Sequence, residues 1–262
     1  MLYYIRNENI TERFNMPKQV PWKSNITEVG KNKLLTRGVD QEEIIRRFSY
    51  EEMVFLLLFD RRPSEVEANL LRAVIVSHVS HGVTGQSTIA VRMGADCRSP
   101  FLNSAVGGFL TGSGEFHQGA LQRSMEMLKE AAEARSVEQW VRERLDNKNT
   151  FYGYGHRFHS KDPRAIVLMK LCDEHTYIGK HVRTARDIES IVGSERGRYM
   201  NIEAAGGSIL LDIGFPPEIA SLIILIGRGP MYAAVYMERL LSESKPFQRL
   251  AVHDIVPGKE EK

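Results

Sequence analysis

Cysteine is nearly absent from this chain: Cys97 and Cys172 are the only two in 262 residues. Two distant thiols supply neither a disulfide framework nor the paired spacing of a zinc site, and they fit a reducing, cytoplasmic compartment. Charge of one sign is also lacking, since 35 Lys and Arg stand against 33 Asp and Glu, a net of +2. With no Lys/Arg tract, a nucleic-acid partner is not expected. The longest unbroken apolar runs, Met53 to Phe59 and Leu222 to Ile226, fall short of the ~20 residues that span a bilayer. No membrane partner is expected either. Residues 1–21 carry Arg6, Glu8, Glu12 and Arg13 without an apolar stretch, so no secretory leader is expected. Strand signals are few, with only Lys33 to Thr36 reading as extended, and there is no internal repeat.

What is present is helical pattern on an ordinary globular background of 42% hydrophobic and 26% charged residues. Ser49 and Ser64-Glu-Val-Glu67 read as N-caps of helices over Tyr50 to Phe59 and onward to Ile75. Helices follow over Gln86 to Met93, Ser99 to Leu110 and His117 to Arg135, the last with Leu121, Met125, Leu128 and Ala132 on one stripe. Pro163 to His175, Thr184 to Ile191, Ala204 to Ile213, Pro217 to Ile226 and Met231 to Ser242 complete a mainly α chain.

The densest chemistry lies in Tyr152-Gly-Tyr-Gly-His156-Arg-Phe-His-Ser-Lys-Asp-Pro163-Arg164. Glycines on both sides of Tyr154 permit a tight bend, and a residue that titrates near neutrality follows at once. Asp162-Pro163 reads as an N-cap with proline in the first helical turn. Arg164 then stands where a guanidinium can fork onto a carboxylate beside a helix N-terminus. A proton donor and a carboxylate clamp so close together suit a small acidic substrate. A Gly-rich turn with a capping Asp and two solvated cations is the plain alternative.

That segment resembles the Gly-Tyr-Gly-His…Asp-Pro-Arg signature of the citrate synthase superfamily, and other segments match in the same order. Ser80-His81-Gly82, Ser87-Thr88 and Arg92-Met-Gly-Ala-Asp96 resemble its Asp-His-Gly…Ser-Thr…Ala-Arg block. Gly114-Glu-Phe-His117-Gln-Gly-Ala120 resembles Gly-Pro-Leu-His-Gly-Gly-Ala. Asn201-Ile-Glu203 and Leu211-Asp-Ile-Gly-Phe-Pro-Pro217 resemble Asn-Val-Asp…Leu-Gly-Phe-Pro-Pro, and Gly227-Arg228 matches the arginine of the next helix. The resemblance runs from about Trp22 to the C-terminus. It implies a large helical domain (22–120 and 217–262), a smaller mobile lobe (121–216) that closes over substrate, and an N-terminal extension (1–21). The chain is shorter than full citrate synthases and similar in size to citryl-CoA lyases and the lyase module of ATP-citrate lyase.

The resemblance also assigns roles. Glu203 falls where a carboxylate exchanges a proton with the thioester methyl. His117 falls where a donor stabilises the enolate oxygen, and His156 where the acceptor carbonyl is held. His81, Arg164 and Arg228 match substrate-binding positions. Arg249, in Pro246-Phe-Gln-Arg249, is set against the arginine that a neighbouring subunit supplies, which implies a homodimer with a shared site. Arg157, Lys161, Arg196 and Arg198 lie near the loops expected to meet the CoA phosphates. His78 and His81 are three apart, yet no third ligand completes a tetrahedral set, so no metal is expected. His159, His175, His181 and His253 read as surface residues.

One departure matters. The family's aspartate is Glu203 here, which moves the carboxylate by about 1 Å and costs on the order of a hundredfold if uncompensated. Asp212 is a substitute only on paper. The leading expectation is a lyase that cleaves a citryl-CoA-type thioester to acetyl-CoA and oxaloacetate, fed by an upstream citryl-CoA synthetase. The alternatives are a citrate or 2-methylcitrate synthase-type acyltransferase, and a subunit that binds CoA without turnover.

Overall fold

The computed structural model describes residues 23–115 and 117–242, which fall in two compact units, 1–63 and 64–262. The mainly α expectation holds, with eleven α-helices among the described residues.

The first unit opens with three antiparallel strands in the order β1 (Thr27–Gly30), β2 (Lys33–Thr36), β3 (Val39–Asp40). Thr27 pairs with Thr36, and Thr36 pairs again with Val39. Arg37 and Gly38 both have positive φ (49° and 77°), as a two-residue turn between twisted strands requires. Only β2 was expected. β1 is exposed along its whole length and β3 has two residues, so neither leaves an alternating apolar signature. Two helices follow, α1 (Gln41–Arg47) and α2 (Tyr50–Phe59). Asp40 caps α1, and a reciprocal capping box between Ser49 and Glu52 opens α2.

The second unit holds α3 (Glu65–Val79), α4 (Gln86–Asp96), α5 (Phe101–Gly112), α6 (Gly119–Glu133), α7 (Val137–Asp146), α8 (Pro163–Glu174), α9 (Lys180–Arg196), α10 (Ile202–Asp212) and α11 (Ser221–Leu241). Its centre is α10, which packs on α6, α9, α8 and α3. Every residue from Ala204 to Leu210 is buried. The run Ala204-Ala-Gly-Gly-Ser208 lets the neighbours come close: a Cβ on Gly207 would lie 3.0 Å from Met125 Cγ. Leu121, Met125 and Leu128 of α6, Leu70, Leu71 and Val74 of α3, and Val182, Ile188 and Val192 of α9 fill the core around it. Each large side chain so buried contributes roughly 1.5–3 kcal/mol of transfer free energy.

Helices α1 and α7 were not foreseen. α7 is short and strongly charged, and its stripe is reduced to Val141, its one buried residue. A second correction concerns Gly227 to Pro230, expected to separate two helices. The chain runs through as α11, with Pro230 inside it. Packing overrides the breaker because Gly227 brings α11 against α3, where a Cβ would stand 3.1 Å from Ile75 O. The stretch Pro217–Leu241 is then long and apolar enough to cross a bilayer by length and composition, which counting unbroken runs did not reveal. It packs on α3, α4 and α5 with Arg228, Tyr232 and Arg239 buried. Cys97 is exposed and Cys172 buried, both as free thiols.

Candidate active site

The loop before α8 is fixed by its glycines and by α10. Gly153 and Gly155 have φ of 85° and 101°, and a Cβ on Gly153 would lie 2.5 Å from Ser124 Oγ. Gly155 N donates to Tyr199 O at 2.7 Å, and Asn201 N donates to Gly153 O at 2.8 Å. Asn201 does two further things. Its Nδ2 donates to Gly155 O at 2.8 Å, and its Oδ1 accepts from Glu203 N at 2.9 Å, capping α10. One side chain therefore ties the residue preceding His156 to the helix turn that carries Glu203.

In His156, Nδ1 accepts from Phe158 N (3.0 Å) and His159 N (3.2 Å). The neutral ring consequently carries its proton on Nε2. Burial lowers its pKa, the Asp162 carboxylate opposes that, and His159 and Arg164 add to it. His156 lines an open cavity of about 480 Å³ with Arg157, His159, Ser160 and Arg198. Lys161 lies over the Tyr199 ring at 4.5 Å. Arg196 is engaged elsewhere, donating to Leu145 O at 2.9 Å.

Asp162 does more than cap. It is 1% exposed, and its Oδ1 accepts from Arg164 N at 3.0 Å and Arg164 Nε at 3.0 Å. Its Oδ2 accepts from Arg164 Nη2 at 2.7 Å and from Ile202 N at 3.2 Å. Burial pushes its pKa up, but the bonds from Arg164 and Ile202 outweigh burial and hold it below the usual carboxylate range. One edge of the Arg164 guanidinium is thus fixed, and no hydrogen bond engages Nη1 among the described residues.

A narrow cleft collects His78, His81, His117, Gln118, Arg164, Glu203 and Arg228 against an apolar wall of Leu121, Ile202 and Ile224. The His81 and His117 rings stand 5.0 Å apart. Burial, then Arg228 and His117, push His81 down to about 4. Burial and Arg228 lower His117 as well. The buried Ser87 hydroxyl lies 3.0 Å from His117 Nε2. A hydroxyl donating there leaves His117 with its N–H on Nδ1. Burial raises the pKa of Glu203, with Arg164 and Arg228 opposing. Arg228 is 3% exposed, and its Nε and Nη1 are buried without partners. A buried guanidinium left open in this way is costly unless an anion completes it.

Five of the expected residues, His81, His117, Arg164, Glu203 and Arg228, therefore share one cleft. His156, Arg157 and Arg198 line a separate cavity, and Arg249 lies outside the described residues. The sequence reading missed the roles of His78, Ser87, Asn201 and Asp162. Asp162 and Asn201 were legible as caps, but what else they hold comes from distant parts of the chain. His181, expected at the surface, instead bonds Asp212 at 2.8 Å with 19% of its side chain exposed. Asp212 also accepts from His181 N and Val182 N. It caps α9 and takes no part in the cleft. Among the described residues no three His, Cys, Asp or Glu side chains gather at metal-binding spacing.

Comparison with known proteins identifies the family and the fold. The citrate synthase C-terminal domain family matches residues 58–250, and the chain belongs to that family. A citrate synthase of Haloferax volcanii is 26% identical over 208 residues, 78% of this chain and 55% of that protein. The chain thus spans about half the length of such relatives. The structure of citryl-CoA lyase from Hydrogenobacter thermophilus is similar with a TM-score of 0.83 and 29% identity, covering 92% of this chain and 95% of that one. ATP citrate lyase from Methanothrix soehngenii, solved with citrate and coenzyme A, shares the fold with a TM-score of 0.84 and 19% identity, over 99% of this chain and 44% of that one.

Proposed function

We propose that this chain is a citryl-CoA lyase-like enzyme that cleaves a citryl-CoA-type thioester to acetyl-CoA and oxaloacetate. The observation that carries the reading is the convergence of Glu203, His117, His81, Arg164 and Arg228 on one small cleft. Likeness to a citryl-CoA lyase along nearly the whole of both chains supports it.

In cleavage the electron pair of the breaking C–C bond passes to the thioester as an enolate, while the hydroxyl oxygen becomes a carbonyl. His117 Nδ1–H, set by Ser87, faces the enolate oxygen. Glu203, whose pKa is raised by burial, gives a proton to the enolate carbon. The hydroxyl proton leaves to solvent as the carbonyl forms, and solvent returns one to Glu203, so none is consumed overall. Arg228 and the free edge of Arg164 hold substrate carboxylates. Closure of the 121–216 lobe brings His156 Nε2–H onto the new carbonyl oxygen, and Arg157, Lys161 and Arg198 meet the CoA phosphates.

A homodimer belongs to the same proposal. α5 has no charged residue and exposes Leu102, Val106 and Leu110 on one stripe, beside Ile89 and Met93 of α4. Such apolar patches mark association surfaces.

The same groups run in reverse condense acetyl-CoA with oxaloacetate, so a synthase is the second reading. Purified protein given citryl-CoA, with oxaloacetate followed through malate dehydrogenase, separates the two. Oxaloacetate without free CoA supports the lyase. Free CoA from acetyl-CoA plus oxaloacetate would make it a synthase. Silence in both assays would leave a CoA-binding subunit.

A further inference from the structure

Among the polar groups of the cleft that the proposed chemistry leaves unused is His78. His78, in the last turn of α3, is 2% exposed. Its Nδ1 lies 2.8 Å from Val74 O, and a carbonyl oxygen can only accept, so the ring proton sits on Nδ1. Nε2 then carries a bare lone pair. That nitrogen is buried and has no partner, while the ring lines the cleft beside Arg164, Glu203 and Arg228. The space is made by α10: a Cβ on Gly206 would stand 3.2 Å from His78 Cε1. Burial drives the pKa to about 4, with Val74 O opposing and Arg228 assisting. The nitrogen remains an acceptor throughout the neutral range.

The wall of this cleft therefore makes two demands. The unpartnered Nε and Nη1 of Arg228 require an anion. Nε2 of His78 requires a hydrogen-bond donor, and leaving it empty after burial is unfavourable. A 2-oxo dicarboxylate meets the first demand only, because it has no O–H at neutral pH. A 2-hydroxy polycarboxylate meets both.

We infer that His78 Nε2 accepts a hydrogen bond from the hydroxyl of a 2-hydroxy polycarboxylate in this cleft, making His78 a substrate-binding residue that selects the hydroxylated ligand. The inference rests on the reading of the cleft as a polycarboxylate site and adds which functional group is read, and by what. It also gives the cleft a preference for the hydroxy-acyl side of the reaction over the 2-oxo acid.

The test is calorimetric binding of citrate and of tricarballylate, its deoxy analogue, to the full chain at pH 8 with CoA present. Citrate is expected to bind on the order of tenfold or more tightly than tricarballylate, the loss of one buried hydrogen bond. In His78→Phe that ratio should fall to about one. In His78→Gln, whose carbonyl oxygen can stand in as acceptor, it should partly recover. Equal affinities in the unmodified protein would overturn the inference, as would a preference that survives His78→Phe, since then another group reads the hydroxyl. Failure of both ligands to bind the unmodified protein would remove the polycarboxylate reading and this inference with it. If His78→Phe does not fold by circular dichroism, the ¹⁵N resonance of His78 Nε2 in the unmodified protein decides. An upfield shift with citrate but not with tricarballylate supports the assignment. The same response to both, as a water on Nε2 would give, overturns it.

Discussion

Replacing Asp162 by asparagine changes one atom and tests how the N-termini of α8 and α10 are held together. Oδ1 survives, so the cap on Arg164 N is kept. Oδ2 becomes an amide NH₂ facing two donors, Arg164 Nη2 at 2.7 Å and Ile202 N at 3.2 Å. Losing a charge-assisted bond costs about 1.5–3 kcal/mol and a neutral one about 1. Arg164 keeps 27% of its side chain exposed, so solvent screens part of the ionic share. We expect a loss of about 3 kcal/mol, or roughly 6–12 °C in Tm for a chain of this size. Urea unfolding followed by circular dichroism at pH 8 measures it. The pKa of Asp162 is held low in the folded state. Its ionic contribution is therefore complete above the unfolded carboxylate pKa and lost as pH falls through the lower folded value. The gap between Asp162 and the Asn variant should accordingly close below about pH 4. A variant within ~0.5 kcal/mol of the parent at pH 8, or a gap indifferent to acid, would refute the reasoning.

The buried carboxyl of Glu203 has a raised pKa, so its ionised form costs stability once pH exceeds the unfolded value. Glu203→Gln should stabilise the fold at pH 8 by on the order of 1 kcal/mol while abolishing turnover. A lower Tm than the parent at pH 8 would contradict this. Asn201→Asp keeps the α10 cap but loses the donor to Gly155 O. It should lower kcat with little change in KM for the thioester, whereas Asn201→Ala also forfeits ~1 kcal/mol of cap energy. Equal kinetic effects on kcat and KM in both variants would detach Asn201 from the loop. His78 and His81 are both depressed to about 4 in the fold, against about 6.5 when unfolded. Stability is complete above pH 6.5 and declines toward pH 4, by about 2–4 kcal/mol between pH 7.5 and 5. The double Gln variant should flatten that slope, and a slope unchanged in urea titrations would count against it.

The sequence by itself determined most of the helices and named five of the residues that line the cleft. Caps such as Ser49, Ser64 and Asp162, and stripes such as Leu121, Met125 and Leu128, act over one or two turns, so local physics sufficed to place them. The polar motifs at His81, His117, His156, Arg164, Glu203 and Arg228 were legible because their residue types and order survive without knowledge of distance. Only tertiary structure decided what those groups do to each other. Gly227 and Pro230 read as breakers until packing against Ile75 O made the glycine a contact point. Asp162 and Asn201 were caps until α10 folded back against the Tyr154 loop and gave each a second partner. The lone pair on His78, the unpartnered Arg228 and the raised carboxyl of Glu203 have no local signature. Each arises from burial among side chains far apart in the sequence, and desolvation is a property of the packed interior alone.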